Sequence, residues 1–346
     1  MHHLRIFLFL IFLPAFFILS ALSCDDRNTG NAPTFTSPII NLNNKKISNL
    51  AQLDIEIPNS NTRSNAQWLL LNNNSLTVID NGQLDDFVNL SWLSVQNNRI
   101  TNIADGSLTQ LRRLERIYLR RNRLTAIEPS IFSSDVNLNL IDLSENRLTA
   151  IPLNLIRADF ASGIGLGTNF ITTIPANFLA TNGKLTTLVL SANQIVTVPT
   201  DAFANDANLR EVFLNDNDIA TVDDNAFSGT RLHRIDLSTN RLSAVPAQAI
   251  PANNRVRNLS LRSNSISGIG PNDFDRFAEK LQVLSIDGNP LDPAQVDDNA
   301  FTKLTNLLLF FVEYRRAGDV TRLPQDDPAL TNLRLSNKRL IIRDMR

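Results

Sequence analysis

Side chains able to do covalent or acid–base chemistry are few in these 346 residues. Histidine occurs at His2, His3 and His233 only, and cysteine at Cys24 only. A histidine general base or a nucleophile–histidine pair needs both partners within hydrogen-bond reach. His233 stands alone in mid-chain with no suitably placed nucleophile, and reads as a surface histidine. One thiol and one distant imidazole cannot build a Cys/His metal cluster, and no glycine-rich phosphate loop is present. The acidic pairs Asp297-Asp298 and Asp326-Asp327 lack calcium-loop spacing. Calcium is left open by these carboxylates without support from their spacing, and no metal site and no cofactor is expected. Only carboxylates are left for catalysis, and nothing sets two of them as a pair, so an exported carboxylate enzyme is a distant alternative to a non-enzyme.

Side chains suited to gripping a partner are better placed. Trp68 and Trp92, the two tryptophans of the chain, lie 24 residues apart, and Arg116 follows 24 later with Tyr118, Arg120 and Arg121 beside it. Trp, Tyr and Arg are the residue types that most often carry binding energy at interfaces. Phe213 is a secondary candidate. With 33 Lys+Arg against 34 Asp+Glu, bulk charge draws the chain toward neither nucleic acid nor acidic lipid, and no nucleic-acid partner is expected. Charge is nonetheless segregated: Arg99 to Arg123 holds seven arginines against Asp105 and Glu115, and Asp201 to Asp224 holds seven acids against Arg210. Such polarity can orient a partner. Arg112, Arg113, Asp223 and Asp224 fall off the strands and read as solvated loop residues.

The 24-residue interval is the period of the whole chain. Asn74, Asn98, Asn122, Asn146, Asn169, Asn193, Asn217, Asn240, Asn264 and Asn289 are separated by 23 to 25 residues, each within the same apolar frame. Leu114-x-x-Ile117-x-Leu119-x-x-Asn122-x-Leu124-x-x-Ile127 is one example. Fourth and sixth frame positions lie two apart, the strand period, so they share the buried face while positions three, five and seven point outward. Each repeat supplies one short parallel strand, and only stacking buries its apolar side. The asparagine amides are read as a structural ladder closing the turns after each strand. A further apolar position ten residues after each Asn (Leu84, Leu108, Phe132, Ile156, Leu179, Phe203, Phe227, Ile250, Phe274) predicts a spine behind the sheet. Pro152, Pro175, Pro199 and Pro246 predict extended rather than helical returns.

This frame resembles the 24-residue extracellular type of leucine-rich repeat. The resemblance implies an α/β-type repeat solenoid: a right-handed curved horseshoe with one parallel β-sheet on its concave face and few regular helices. It covers ten repeats over residues 66–304. Residues 39–65 are read as an N-terminal cap, with Ile40-x-Leu42 and Leu53-x-Ile55-x-Ile57 as strand-like pieces. Residues 305–346 are read as degenerate repeats and a C-terminal cap, with Arg315 and Lys338 replacing Asn after Leu307-x-x-Phe310-x-Val312 and Leu330-x-x-Leu333-x-Leu335.

Residues 1–23 have the charge and apolar pattern of a signal peptide ending in Ala21-Leu22-Ser23. The cysteine that follows resembles the lipidated residue of a bacterial lipoprotein, although Leu stands two rather than three residues before it. Cys24 would then be acylated and residues 24–38 would be a tether. Plain secretion and an uncleaved anchor are the alternatives.

A sheet face left bare is the default binding surface of such a fold. The expectation is an exported protein of the cell envelope or surface, tethered through its lipid anchor. Its concave face (Trp68, Trp92, Arg116, Tyr118, Arg120, Arg121, Phe213) binds a protein ligand in adhesion; a structural envelope scaffold is the alternative. Stacking of Trp68 and Trp92 for stability alone competes with the contact reading. Gly163, Gly165 and Gly167 either admit a close approach or reflect drift in one repeat.

Overall fold

A computed structural model describes residues 38–128, 131–132, 138–153, 161–176, 178–179, 183–204, 206–312, 328–336 and 341–344. The signal segment, Cys24 and residues 24–37 of the tether, Ile156, Arg315, Asp326, Asp327 and Lys338 lie outside them. The chain forms two compact units. One runs to Ile171 and includes Thr187–Val189; the other holds Thr172–Thr186 and the residues from Leu190 on.

In the first unit seven strands pair in parallel and in sequence order: β1 (Ile39–Asn41), β2 (Trp68–Leu70), β3 (Trp92–Ser94), β4 (Arg116–Tyr118), β5 (Leu140–Asp142), β6 (Gly163–Gly165) and β7 (Thr187–Val189). In the second unit β8 (Glu211–Phe213), β9 (Arg234–Asp236), β10 (Asn258–Ser260), β11 (Val283–Ser285), β12 (Leu309–Val312) and β13 (Ile341–Asp344) do the same. The register matches each frame position to itself on the next turn, so Trp68 faces Trp92 and Trp92 faces Arg116. Returns are mostly extended, two of them in each unit pairing as two-residue strands: Val78–Ile79 with Asn102–Ile103, and Thr197–Val198 with Thr221–Val222.

The core follows the frame. Leu114, Ile117, Leu119 and Leu124 are fully buried, and so are the described spine residues from Leu84 to Phe274. In the second unit Phe203 stacks on Phe227 with ring centroids 5.1 Å apart and planes 3° from parallel. Each fully buried aliphatic or Phe side chain contributes about 1.5–3 kcal/mol, which lets short strands persist on few hydrogen bonds.

The asparagines close the turns. Asn122 Nδ2 donates to Leu119 O at 2.9 Å on its own turn and to Val95 O at 3.0 Å on the preceding one, while its Oδ1 accepts from Ile100 N at 3.0 Å. Asn98, Asn146, Asn217, Asn240 and Asn264 repeat the pattern. The residue before each Asn pivots into the left-handed region, with φ between 52° and 58° at nine non-glycine positions from Asn73 to Ser263 and 69° at Gly288.

Both caps differ from the sequence reading in one element. Leu53–Glu56 is helical, not strand-like, and a second helix spans Ser60–Asn65. Asn49 accepts from Ala51 N at 2.8 Å while Gln52 Oε1 accepts from Asn49 N at 3.2 Å, a capping box that starts a helical turn. Leu53 and Ile57 are then buried one helical turn apart, and Ile55 is 78% exposed. Pro328–Ser336, containing the expected degenerate repeat around Leu333, is also a helix. Proline is favoured in a first helical turn, and Ala329, Leu330 and Leu333 give the buried helical spacing. The strand that pairs with β12 is instead β13.

Candidate interaction face

The third frame position is the open row of the strand face. In the first unit it carries Ile39, 40% exposed, and Trp68, 36% exposed, then half-buried Trp92 and exposed Arg116. Trp68 and Trp92 lie 4.6 Å apart by ring centroid, and Trp92 and Tyr118 5.2 Å, in a tilted stack. The Arg116 guanidinium sits 5.3 Å above the Trp92 ring, a cation–π arrangement. Six of the seven residues singled out from the sequence, these four with Arg120 and Arg121, therefore sit on three consecutive turns. Trp92 Nε1 is buried with no hydrogen-bond partner among the described residues.

The fifth row is closed, contrary to the expectation of a bare face. Tyr118 is 2% exposed, Phe213 1%, Asp142 0% and Asp236 4%. Neighbouring turns stand about 4.8 Å apart, so side chains of the third row fold over the fifth: Trp92 over Tyr118, and Arg234 over Phe213 with 5.8 Å from guanidinium to ring. Phe213 belongs to the second unit and is covered rather than an isolated outward aromatic. Arg120 and Arg121 are not idle either. Arg120 Nη2 reaches Glu145 Oε1 at 2.5 Å, and Arg121 Nε reaches Oε2 at 2.7 Å. Partial burial would raise the Glu145 pKa, but the two guanidiniums hold it below the usual carboxylate range.

Two buried carboxylates were not singled out from the sequence as sites. Burial pushes the Asp142 pKa up, only partly countered by the Ser144 backbone N–H at 3.0 Å. Asp142 Oδ2 has no hydrogen-bond partner among the described residues. Asp236, desolvated likewise and facing Asp216, has its pKa pushed up to about 6 although Ser238 donates to it through Oγ at 2.6 Å. Alternation marked both positions as outward; their burial depends on how the neighbours lean, which a single strand does not reveal. His233 is half-buried, and burial together with Arg257, Arg210 and Arg255 lowers its pKa. No cluster of three His, Cys, Asp or Glu able to hold a metal occurs among the described residues. Nor is any described helix long and apolar enough to cross a membrane.

Parallel strands, an asparagine ladder and one open row of side chains define a leucine-rich-repeat solenoid. The chain belongs to the Leucine rich repeat family, whose model matches residues 64–124, 112–157, 164–219, 183–232 and 230–291. Among solved structures, TLR13 in complex with ssRNA13 is similar at 20% identity and a TM-score of 0.69, over 86% of this chain and 45% of that one. This chain thus spans less than half the length of that relative. An internalin of Listeria monocytogenes is similar at 18% identity and a TM-score of 0.61, covering 89% of this chain and 87% of its own. A leucine-rich-repeat protein of Leptospira interrogans gives 19% and 0.57, covering 88% and 83%. At these identities the likeness is one of fold. No curated protein matches.

Proposed function

We propose that the chain is a protein-binding adhesion module that captures its ligand on the strand face of the first unit. The aromatic ladder Trp68–Trp92–Tyr118 under Arg116 carries this reading. Its exposed end joins Ile39 and Trp68 as apolar area, and an aromatic anchor beside a guanidinium is the composition of an interface hot spot. Trp68, Trp92 and Arg116 provide direct contact; Tyr118 supports the ladder from below. Arg120 and Arg121, braced by Glu145, form a polar rim. Phe213, buried beneath Arg234 in the second unit, is not part of this face.

The module is exported by its 1–23 signal segment and held at the cell surface by lipid on Cys24, with residues 24–38 as tether, 39–65 as cap, 66–304 as repeats and 305–346 as the closing cap. The internalin likeness supports a surface setting. An envelope scaffold that uses the returns and caps is the second reading. No nucleic-acid partner is proposed, near-neutral charge being the reason.

The test is capture of surface and secreted proteins by the immobilised fragment Asp25–Arg346, with an RNA arm alongside. Trp68→Ala should lose the captured protein while the RNA arm stays empty. Capture unaffected by Trp68→Ala, or lost only in variants of the returns, would transfer the function to the scaffold reading. Mass measurement of the N-terminal peptide from the native host tests the anchor: an unmodified Cys24 would exclude it.

A further inference from the structure

A second charged feature of the first unit lies off the strand face. The position after each ladder asparagine holds Ser75, Arg99, Arg123, Arg147 and Phe170 on five successive turns. The turns are stitched by backbone bonds of 2.8 Å at this position: Arg99 N to Leu76 O, Arg123 N to Ile100 O, Arg147 N to Leu124 O and Phe170 N to Leu148 O. Three cations thus repeat at the inter-turn spacing of about 4.8 Å. All three are exposed, and Phe170 beside them is 48% exposed.

Like charges on adjacent turns repel and destabilise, so the arrangement calls for a counter-charge. The described residues do not supply one. From one residue before to four after each of these asparagines the sole acid is Glu145, and Arg120 and Arg121 occupy both its oxygens. Among the described residues none of Arg99, Arg123 and Arg147 forms an ion pair. The second unit shows the contrasting arrangement at the same frame position, where Arg241 is answered by Asp218 from the preceding turn at 2.5 Å. Alongside the cations runs a row of exposed threonines at Thr77, Thr101, Thr125 and Thr149, two positions further on. Small Ala126 and Ala150 follow them and leave the row open to approach.

We propose that this flank binds an acidic polysaccharide bearing one carboxylate or sulfate per sugar ring. Such a chain repeats its charge over the length of one ring, a step of the same order as one solenoid turn. Each ring presents hydroxyls to the threonine row, and its C–H face can lie on Phe170. A membrane surface would want insertable apolar side chains along the row, and a nucleic-acid strand would want a run of aromatics for its bases; the row offers a single aromatic at one end. The flank is separate from the aromatic ladder of the strand face, so the two assignments can fail independently.

The test is titration of the fragment Asp25–Arg346 with oligogalacturonates of increasing length, against neutral galactan, a single-stranded oligonucleotide and phosphatidylglycerol vesicles, at several salt concentrations. Oligogalacturonate should bind more tightly as length grows to span the three turns, and neutral galactan should not bind. The triple variant Arg99→Gln, Arg123→Gln, Arg147→Gln should weaken binding at least tenfold and flatten its salt dependence. Phe170→Ser should weaken it with the salt dependence retained. Arg241→Gln and Trp68→Ala should leave it unchanged. Absence of oligogalacturonate binding, an unaffected triple variant, equal binding of neutral galactan, or tighter binding of the oligonucleotide or vesicles would each overturn the proposal.

Discussion

The two units are built on one frame and present different surfaces. In the first, the strand face opens with Ile39, Trp68, Trp92 and Arg116, and three arginines with no ion pair among the described residues line the flank. In the second, corresponding rows hold Glu211 with Arg234, buried Asp236, Ser260 and Ser285, and an Asp287–Arg262 pair at 3.0 Å. There, Arg234, Arg241 and Arg262 each find an acid on an adjacent turn or on their own face, whereas Arg99, Arg123 and Arg147 form no ion pair among the described residues. The ladder and core are the same in both, so the difference resides wholly in side chains that the core does not dictate. A solenoid can therefore divide labour along its length without changing its fold.

The shared part should give the largest effects. Asn122→Ala and Asn240→Ala each strip a buried amide from bonds spanning two turns, leaving carbonyls and an N–H unpaired. Each should cost about 3 kcal/mol, measurable by urea unfolding. A cost confined to one unit would break the claim of a common frame.

Next comes a buried acid of the second unit, the counterpart of Asp142 in the first. Asp236 has a folded pKa of about 6 against an ordinary 3.8, so the folded state holds the proton more tightly. Its contribution is fully present below pH 4 and is lost as pH rises to 6, after which the penalty is constant. Asp236→Asn should raise stability at pH 7 by about 2 kcal/mol and flatten the pH 4–6 decline. A decline that persists in the variant would assign the titration to another group, with Asp142 the first-unit candidate since burial raises it too.

The smallest effect sits at the pivot before the asparagines. Thr168 and Thr239 are β-branched residues at φ 55° and 52°, a conformation costly to any residue with a Cβ. Thr168→Gly should raise stability by up to about 1 kcal/mol, read from the urea midpoint. No gain would show that the side chain contributes more than its strain costs.

Much of this was legible in the sequence, for physical reasons. Strand positions, the asparagine ladder and the spine follow from side-chain spacing alone, because a two-residue alternation and a 24-residue period leave one way to bury the frame residues Leu114, Ile117 and Leu119 of a turn. Proximity of Trp68 to Trp92 followed from register. The closed fifth row did not, since whether Tyr118 or Asp142 meets water depends on the reach of side chains one turn away. Nor did the commitment of Arg120 and Arg121, which needs Glu145 from the following turn, though the 24-residue offset between Arg121 and Glu145 would have revealed it. The helix at Leu53–Glu56 was marked by Asn49 and Gln52, and alternation of Leu53, Ile55 and Ile57 concealed it because three apolar residues two apart fit a strand as well as part of a helix.

The central claim is that the frame makes the fold while the open row of the first unit makes the recognition. Its most direct test replaces Trp68, Trp92 and Arg116 together with threonine, the residue that β7 carries at the same position, and compares the melting temperature and ligand capture of one preparation. The account predicts a native far-ultraviolet spectrum, a melting temperature within a few degrees of the parent, and loss of capture. A melting temperature that collapses along with capture would make the aromatic ladder part of the core and contradict it.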